Sequence, residues 1–478
     1  MTSVLCTVIL SIGLRRRTCF RIYNENNMDK GFIFNTDRCV GCHACIVACS
    51  NQNNVGSGNN WRSVYQYNEA GIPAIPVFFH SIACHHCEDA PCMTHCPANA
   101  FYRDPVTNAV LVNQDKCIGC KYCTWACPFD APEYNPFEKI IEKCTLCIDP
   151  LQAGDIPACA KCCPTGALEF SEFDPSIPFD PVKGFSDYGT GPRIKFVSAS
   201  KKERIPEMAG GTKSPEKAIN YRNELPEPKS RVSLATEWPL VLFTFLVPLI
   251  IGIFAGATTS HHPYWKELFL LSGFFALLVS LFHLGKKRRF YRAILNLRNS
   301  WLSREILFFL LFLGVSSFTL ISGLTSFWLI LLTLFLGFLT TFSIDRVYHL
   351  QTRVDKRQWH SSQTLLTAML FISIFLESFF PFIFVLALKL LLYICRKVEY
   401  KRMKKDPRWI ISLLRILTGL VSPLFLFLLI PQTGWLFILF SVSFGEIIDR
   451  MEFYLELDYV TPEKELRRWL MKDLQRAG

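Results

Sequence analysis

The chain has 478 residues, half of them hydrophobic and 41 of them Phe, which is enough for two or three domains. Apolar runs crowd the part after residue 238, whereas 17 of the 20 cysteines lie between Cys39 and Cys163, so a soluble cysteine-rich half and a membrane half are expected. The formal charge of +11 sits mostly on loops between the apolar runs, which points to a membrane surface and excludes nucleic acid as its partner.

Residues 1–27 open the chain. Val4 to Leu14 are apolar, but Arg15, Arg16 and Arg17 come after them, the reverse of the order in a signal peptide. The twin-arginine order is missing too, and the stretch is too short to span a bilayer. The segment reads as an N-terminal extension of no structural weight, with Met28 as the alternative start.

Four groups of four cysteines follow. Cys39, Cys42, Cys45 and Cys49 are spaced C-x2-C-x2-C-x3-C, and so are Cys117, Cys120, Cys123 and Cys127. Between them stand Cys84, Cys87, Cys92 and Cys96, with a longer x4 step, and after them Cys144, Cys147, Cys159 and Cys163. Pro97, Pro128 and Pro164 each follow a fourth cysteine. Such regular spacing argues against a disulfide framework. A [4Fe–4S] cube needs one soft thiolate per iron; C-x2-C-x2-C supplies three corners, and the fourth cysteine reaches the neighbouring cube. Zinc ribbons also use C-x2-C pairs, but they need neither the third cysteine nor the C-x3-C-P ending. Cys162 fits no group, and Cys6, Cys19 and Cys395 are unassigned. His43, His85, His86 and His95 are read as neighbours of the groups or surface residues, because every group already has four thiols.

From about residue 31 to 198 the chain resembles the electron-transfer subunit of dimethyl sulfoxide reductase-type molybdenum enzymes. The stretches that carry the likeness are Gly119–Pro128, Ala131–Asn135, Lys143–Cys147 and Pro164–Leu168, together with the x4 step of the second group. The resemblance implies that group one pairs with group four and group two with group three. Cys39, Cys42, Cys45 and Cys163 would then hold one cube, and Cys144, Cys147, Cys159 and Cys49 the next. Cys84, Cys87, Cys92 and Cys127 would hold a third, and Cys117, Cys120, Cys123 and Cys96 the fourth. Because every position is Cys, four [4Fe–4S] clusters are expected.

Residues 199–233 are rich in Lys, Glu, Pro, Ser and Gly and read as a surface linker between an iron–sulfur domain at 28–198 and an anchor at 234–455. The Pro- and Asp-rich stretch Asp174 to Val197 is expected to pack on the cluster domain. Apolar stretches follow at roughly 238–258, 266–284, 305–321, 327–344, 364–376, 382–395, 409–430 and 435–448, which read as eight helices in four hairpins. The turns at Ser322-Gly323, Phe380-Pro381 and Pro431–Gly434 carry no charge. The other loops carry Lys286 to Arg304, Arg346 to Arg357 and Arg396 to Arg408, and the tail at 456–478 adds more basic residues. With eight helices all of these fall on one side, the cytoplasmic side by the positive-inside rule, and the cluster domain enters there too. A multi-pass plasma (inner) membrane protein is therefore expected. The fold class is an α+β double 2[4Fe–4S] ferredoxin-like domain followed by an all-α eight-helix transmembrane bundle.

The anchor resembles the membrane subunit of the same reductases, on Glu237–Leu240, His283–Gly285, Ser300–Glu305, Arg346–Tyr348 and Gly445–Ile448. That resemblance implies oxidation of quinol, menaquinol or ubiquinol. His283 ends the second helix on the cluster side and is implied to bind quinol; its imidazole can accept a proton near neutral pH. Glu446, Arg346, Tyr348 and Arg450 lie near the same face and could shape the pocket, though charges at helix ends are commonly paired or reach for the interface. No facing pair of histidines deep in two helices is seen, since His349 and His360 fall in a loop, so no haem is expected. The expected function is electron transfer and membrane anchoring in anaerobic respiration: quinol is oxidised beside His283, and electrons pass to a separate molybdopterin-containing catalytic subunit. The alternatives are the same path run in reverse toward quinone, and a membrane-tethered redox sensor or structural zinc protein.

Overall fold

The computed structural model describes residues 30–56, 58–72, 75–173, 182–197, 232–259, 264–350, 360–402, 408–429, 435–457 and 459–477. The N-terminal extension, nearly all of the linker, the middle of the second and third basic loops and the turn at 431–434 lie outside the described residues.

The cysteine-rich half alternates short helices with short hairpins. Strand β1 (Lys30–Asn35) alternates apolar and polar residues, so Phe32 and Phe34 point inward. It is followed by helix α1 (Ala44–Asn53), the antiparallel hairpin β2 (Arg62–Tyr67) and β3 (Phe78–Ala83), and helix α2 (Pro91–Thr94), which has Pro in its first turn. Next come the pair β4 (Phe101–Arg103) and β5 (Val110–Val112), helix α3 (Tyr122–Ala126), and the pair β6 (Glu133–Asn135) and β7 (Ile140–Glu142). Helices α4 (Ile148–Gln152) and α5 (Ala158–Lys161) lead to β8 (Leu168–Glu172) and β9 (Ile194–Val197). β8 pairs antiparallel and β9 parallel with β1, in the order β8–β1–β9. The described part of 182–197 thus joins the domain core, with Phe185 stacked on Phe129 at 5.4 Å. This half is an α+β domain.

Helices lie along each apolar stretch of the second half. They are α6 (Leu234–Thr259), α7 (Trp265–Phe282), α8 (Trp301–Ser322), α9 (Phe327–Val347), α10 (Thr364–Phe375), α11 (Phe379–Arg402), α12 (Trp409–Ile416), α13 (Ser422–Leu429) and α14 (Trp435–Glu456). A π-turn at Leu417–Val421 joins α12 and α13 into one rod. By length and composition six segments can cross a membrane: α6, α7, α8, α9, α11 and the α12–α13 rod. Helix α10 has only 12 residues, and α14 interrupts its apolar run with Glu446, Asp449, Arg450 and Glu452. α6 sits at the centre against α7, α8, α9, α10 and α14.

Two local features differ from the sequence reading. The turn expected at Phe380-Pro381 falls at Leu376–Ser378, where Glu377 has φ +52°. Phe380 and Pro381 lie in the first turn of α11, where the missing N–H of proline costs no helical hydrogen bond. The segment 456–478, expected as a tail, contains helix α15 (Pro462–Ala477). Its Leu466, Leu470 and Leu474 recur at four-residue spacing, and this face packs against Tyr67, Ile72 and Ile75 of the cluster domain.

Candidate functional site

The loops around groups one and three share one backbone shape. Gly41 and His43 have φ +68° and +63°, and Gly119 and Lys121 have +68° and +59°. The left-handed residues curl each C-x2-C-x2-C loop so that its thiols converge. Four sets of thiols stand within electrostatic reach of one another. Cys39 is influenced by Cys45, Cys163 and Cys42. Cys49 lies near Cys159 and Cys147, and Cys144 near Cys49 and Cys159. Cys84, Cys87, Cys92 and Cys127 line one cavity together with Pro91, Val110 and Pro128. Cys120 and Cys123 lie near Cys96 and Cys117. The four tetrads also form a row, through Cys45 beside Cys49, Cys144 beside Cys84, and Cys123 beside Cys92.

Most of these thiols are buried, although Cys42 is exposed. Burial, together with the neighbouring thiols, pushes Cys49 up to about 12 and Cys92, Cys123 and Cys144 well above the ordinary range. Such crowding favours a cationic inorganic centre that takes the thiols as thiolates. Among the described residues no three such donors stand close enough to share one metal ion. A cube takes one thiolate per corner, as four thiols gathered from two loops can supply.

Two buried cations lie between tetrads. Lys143 donates to Cys84 Sγ at 3.4 Å, to the Cys144 carbonyl at 2.9 Å and to the Val110 carbonyl. Burial would lower its pKa, but Cys84, Cys92 and Cys144 raise it overall. Arg62 donates to Ser81 Oγ at 2.9 Å and is held charged, against its burial, by Cys159, Cys45, Cys144 and Cys49. Sequence reasoning missed both as site residues; Lys143 was legible only as part of a motif, and Arg62 gave no signal at all. His85 and His86 are fully buried, and His86 Nδ1 accepts from the Val110 N–H at 3.0 Å. Burial lowers both, His85 to about 3, so neither carries charge near neutral pH.

The tetrad of Cys96, Cys117, Cys120 and Cys123 touches the helical half. The Gly285 N–H donates to the Gly119 carbonyl at 3.4 Å and the Lys286 N–H to the Ile118 carbonyl at 3.1 Å. A side chain at Gly285 would stand 2.3 Å from the Lys139 carbonyl, so this approach requires glycine. Asn296 donates to the Cys96 carbonyl at 2.9 Å, and Tyr122 Oη to the Val347 carbonyl at 2.7 Å. Trp125 stacks between Tyr348 and Tyr459, with ring centroids at 6.3 and 5.9 Å.

His283 caps α7 beside this contact. Its imidazole is buried within reach of the Ser280 backbone one turn earlier, and Lys121 is close enough for its charge to reach the ring. Tyr348 bonds Tyr454 through their hydroxyls, and Arg346 packs over the Phe342 ring at 5.1 Å. The buried Glu305, which ends the Ser300–Glu305 motif, lies near Asp345, Tyr348 and Tyr122. Arg450 lies beside Asp345, on the same side of α14 as Tyr454. Glu446 belongs to a different arrangement. It accepts from Thr367 at 2.8 Å and pairs with Lys389 at 2.9 Å and Arg415 at 2.8 Å. Asp449 pairs with Arg396 at 2.9 Å, and Glu452 and Glu456 continue the network to Arg396 and Lys397. Among the described residues no hydrogen bond or ion pair joins His283 to Glu446, Arg346 or Tyr348. His360, read as a loop residue, is buried and stacks on Phe453 at 4.7 Å.

Converging thiol loops seated on a bundle of apolar helices define an iron–sulfur electron carrier joined to a membrane anchor. Residues 75–173 match the family model of a 4Fe–4S dicluster domain, and residues 233–392 match that of the DMSO reductase anchor subunit (DmsC). The sequence is 37% identical to Protein NrfC of Escherichia coli (strain K12) over 164 residues, 34% of this protein and 74% of that one. It is 36% identical to the B subunit of the anaerobic dimethyl sulfoxide reductase of Haemophilus influenzae over 153 residues, 30% of this protein and 74% of the relative. With the thiosulfate reductase electron transfer subunit PhsB of Salmonella typhi it shares 44% over 142 residues, 29% of this protein and 73% of the relative. The chain belongs to the dimethyl sulfoxide reductase-type family, as an iron–sulfur electron-transfer subunit fused to its membrane anchor. It is an integral membrane protein that holds [4Fe–4S] clusters.

Proposed function

We propose that the four tetrads hold four [4Fe–4S] clusters, in a double 2[4Fe–4S] ferredoxin-like domain, and that the chain conducts electrons from membrane quinol to a separate molybdopterin-containing catalytic subunit. Bound clusters supply one-electron carriers in series. The observation that carries the reading is the order of the tetrads. The one at Cys96, Cys117, Cys120 and Cys123 is seated on the anchor at Gly285, and the one at the other end of the row includes the exposed Cys42. One end thus meets the membrane and the other is open to a partner. The protein's own residues hold the row together: Lys143 and Arg62 place positive charge between tetrads.

His283 is the candidate quinol residue, because its imidazole is buried at the end of α7, beside the membrane-proximal loop that carries Lys121. It can accept a hydrogen bond and a proton from a quinol hydroxyl. Tyr348 and Arg346 would shape the wall, while Glu446 would act at a distance through its ion pairs. The anchor is read as eight spans, with the short α10 and the charge-bearing α14 added to the six apolar ones. The basic loops and the cluster domain then share the cytoplasmic side.

Two experiments test this. Metal analysis should find about sixteen irons per chain and no stoichiometric zinc; zinc would sink the four-cluster reading in favour of a structural module. In the purified complex with its partner, His283→Gln should slow quinol oxidation by about 10²-fold, with dithionite-reducible clusters unchanged. Unaltered quinol kinetics would remove His283 from the site. Quinone reduction outpacing quinol oxidation in the native complex would reverse the direction.

A further inference from the structure

Between α7 and α8 the chain runs as a 3-10 helix over Lys287–Ile294 and then in turns through Arg298. No acidic residue occurs from 268 to 304. The segment has two unlike faces. One is docked on the cluster domain: Arg289 donates to the Gln114 carbonyl at 2.6 Å and the Cys117 carbonyl at 3.1 Å, Asn296 to the Thr94 and Cys96 carbonyls, and Ala293 is buried. The other exposes Phe290, Tyr291, Leu295 and Leu297, each between 40% and 56% accessible. Exposed Lys287, Arg288 and Arg298 stand among them, with Arg292 over the Tyr291 ring at 5.9 Å. Of these cations none has a carboxylate partner among the described residues, whereas Arg289 on the docked face meets Asp115 at 3.6 Å.

The exposed face continues the outer face of α7, where Leu271, Phe274, Leu278 and Phe282 are accessible, and Lys287 lies over the Phe282 ring at 4.3 Å. That continuity sets its depth at the edge of the hydrocarbon layer. Aromatic and Leu side chains at that depth enter the acyl boundary, and cations beside them meet phosphate. We propose that Lys287–Arg298 is a binding platform for anionic phospholipid headgroups, held on its inner face by the loop that carries Cys117. A bound lipid would fasten that loop to the bilayer surface through Arg289 and Asn296. A protein partner fits the face less well, because the cations are interleaved with apolar side chains that lie flush with a lipid-facing helix.

The test uses the full cluster-loaded chain in nanodiscs of phosphatidylcholine with and without phosphatidylglycerol, with native mass spectrometry of retained lipid. Phosphatidylglycerol should be retained in preference to phosphatidylcholine. Combining Lys287→Gln, Arg288→Gln and Arg298→Gln should cut that retention by about tenfold or more. A matched set on α15, Arg467→Gln, Lys472→Gln and Arg476→Gln, should leave it unchanged. Iron content of each variant checks folding, and Phe290→Ser with Tyr291→Ser gives a second route, expected to weaken retention of both lipids. Equal retention of the two lipids by the native chain, or equal loss in both triple variants, would overturn the proposal. So would retention that persists in the first triple variant while binding of the catalytic partner is lost.

Discussion

Lys143 shows how one buried charge is tied to the redox centres around it. Its ammonium group bonds Cys84 Sγ and the Cys144 carbonyl, so it touches two neighbouring tetrads. Lys143→Met removes that charge at similar volume. The clusters of those two tetrads should become harder to reduce, their potentials falling by on the order of tens of mV, as followed by EPR-monitored redox titration. Glu133 gives a pH signature away from the thiols. Burial pushes its carboxyl up to about 7, against the Asn60 N–H and with help from the Glu142 charge. The folded chain therefore keeps a proton that the unfolded chain releases near 4.5, and folding stability from this group falls as pH rises from about 4.5 to 7. Glu133→Gln should flatten that part of the stability profile, measured as thermal loss of the cluster absorbance between pH 5 and 8. The thiol ligands of such a site announce themselves by spacing, because a cube needs four at short loop distances. Arg62 and Lys143 carry no such periodic mark, since each is single and its role comes from what folds around it.

At the scale of elements, two close approaches hold the anchor in place. The α7–α8 connection lies against the Cys117 loop because both carry glycine, and Gly285→Ala would place a Cβ 2.3 Å from the Lys139 carbonyl. The loops must part, and quinol-driven cluster reduction in stopped flow should slow by about tenfold or more, with dithionite reduction intact. The second approach is between the α12–α13 rod and α14, where Gly419 and Gly445 meet around the fully buried Arg415. Arg415, Lys389 and Glu446 then form a buried charge set in which each charge is paired. Glu446→Ala takes the carboxylate from Lys389 and leaves Arg415 only Asp449 at 3.6 Å, and it should cost about 3–5 kcal/mol, seen as a lower inactivation temperature in detergent. The apolar runs of these helices were visible in the sequence from length and composition. The pairing was not, because Lys389, Arg415 and Glu446 lie on three separate apolar runs and meet only through the packing of those helices.

For the whole molecule, helix α15 closes the chain back on its beginning. Asp473 accepts from Tyr67 Oη at 2.8 Å and from Lys183 Nζ at 2.9 Å, while Leu466, Leu470 and Leu474 cover Tyr67, Ile72 and Ile75. Cluster domain and anchor are thus clamped by the last helix as well as by the loops at Gly285. Leu470→Ala should weaken the clamp by about 2–5 kcal/mol, read as faster hydrogen exchange at Tyr67–Ile72 with iron content unchanged. The same helix marks the limit of what could be read from residues in order. Cysteine spacing and apolar length are local properties, so the sequence alone specified the thiol groups, the division into two halves and the sites of the helices. The Leu face of α15 is local as well, but its partner is the β2–β3 region some 400 residues earlier, so 456–478 reads from sequence only as a cytoplasmic tail. Which tetrad meets the membrane, where His283 stands relative to it, and that Glu446 is drawn into ion pairs away from His283 all depend on contacts between distant segments. Only packing in three dimensions, through sterically matched glycines and mutually neutralised buried charges, decides these.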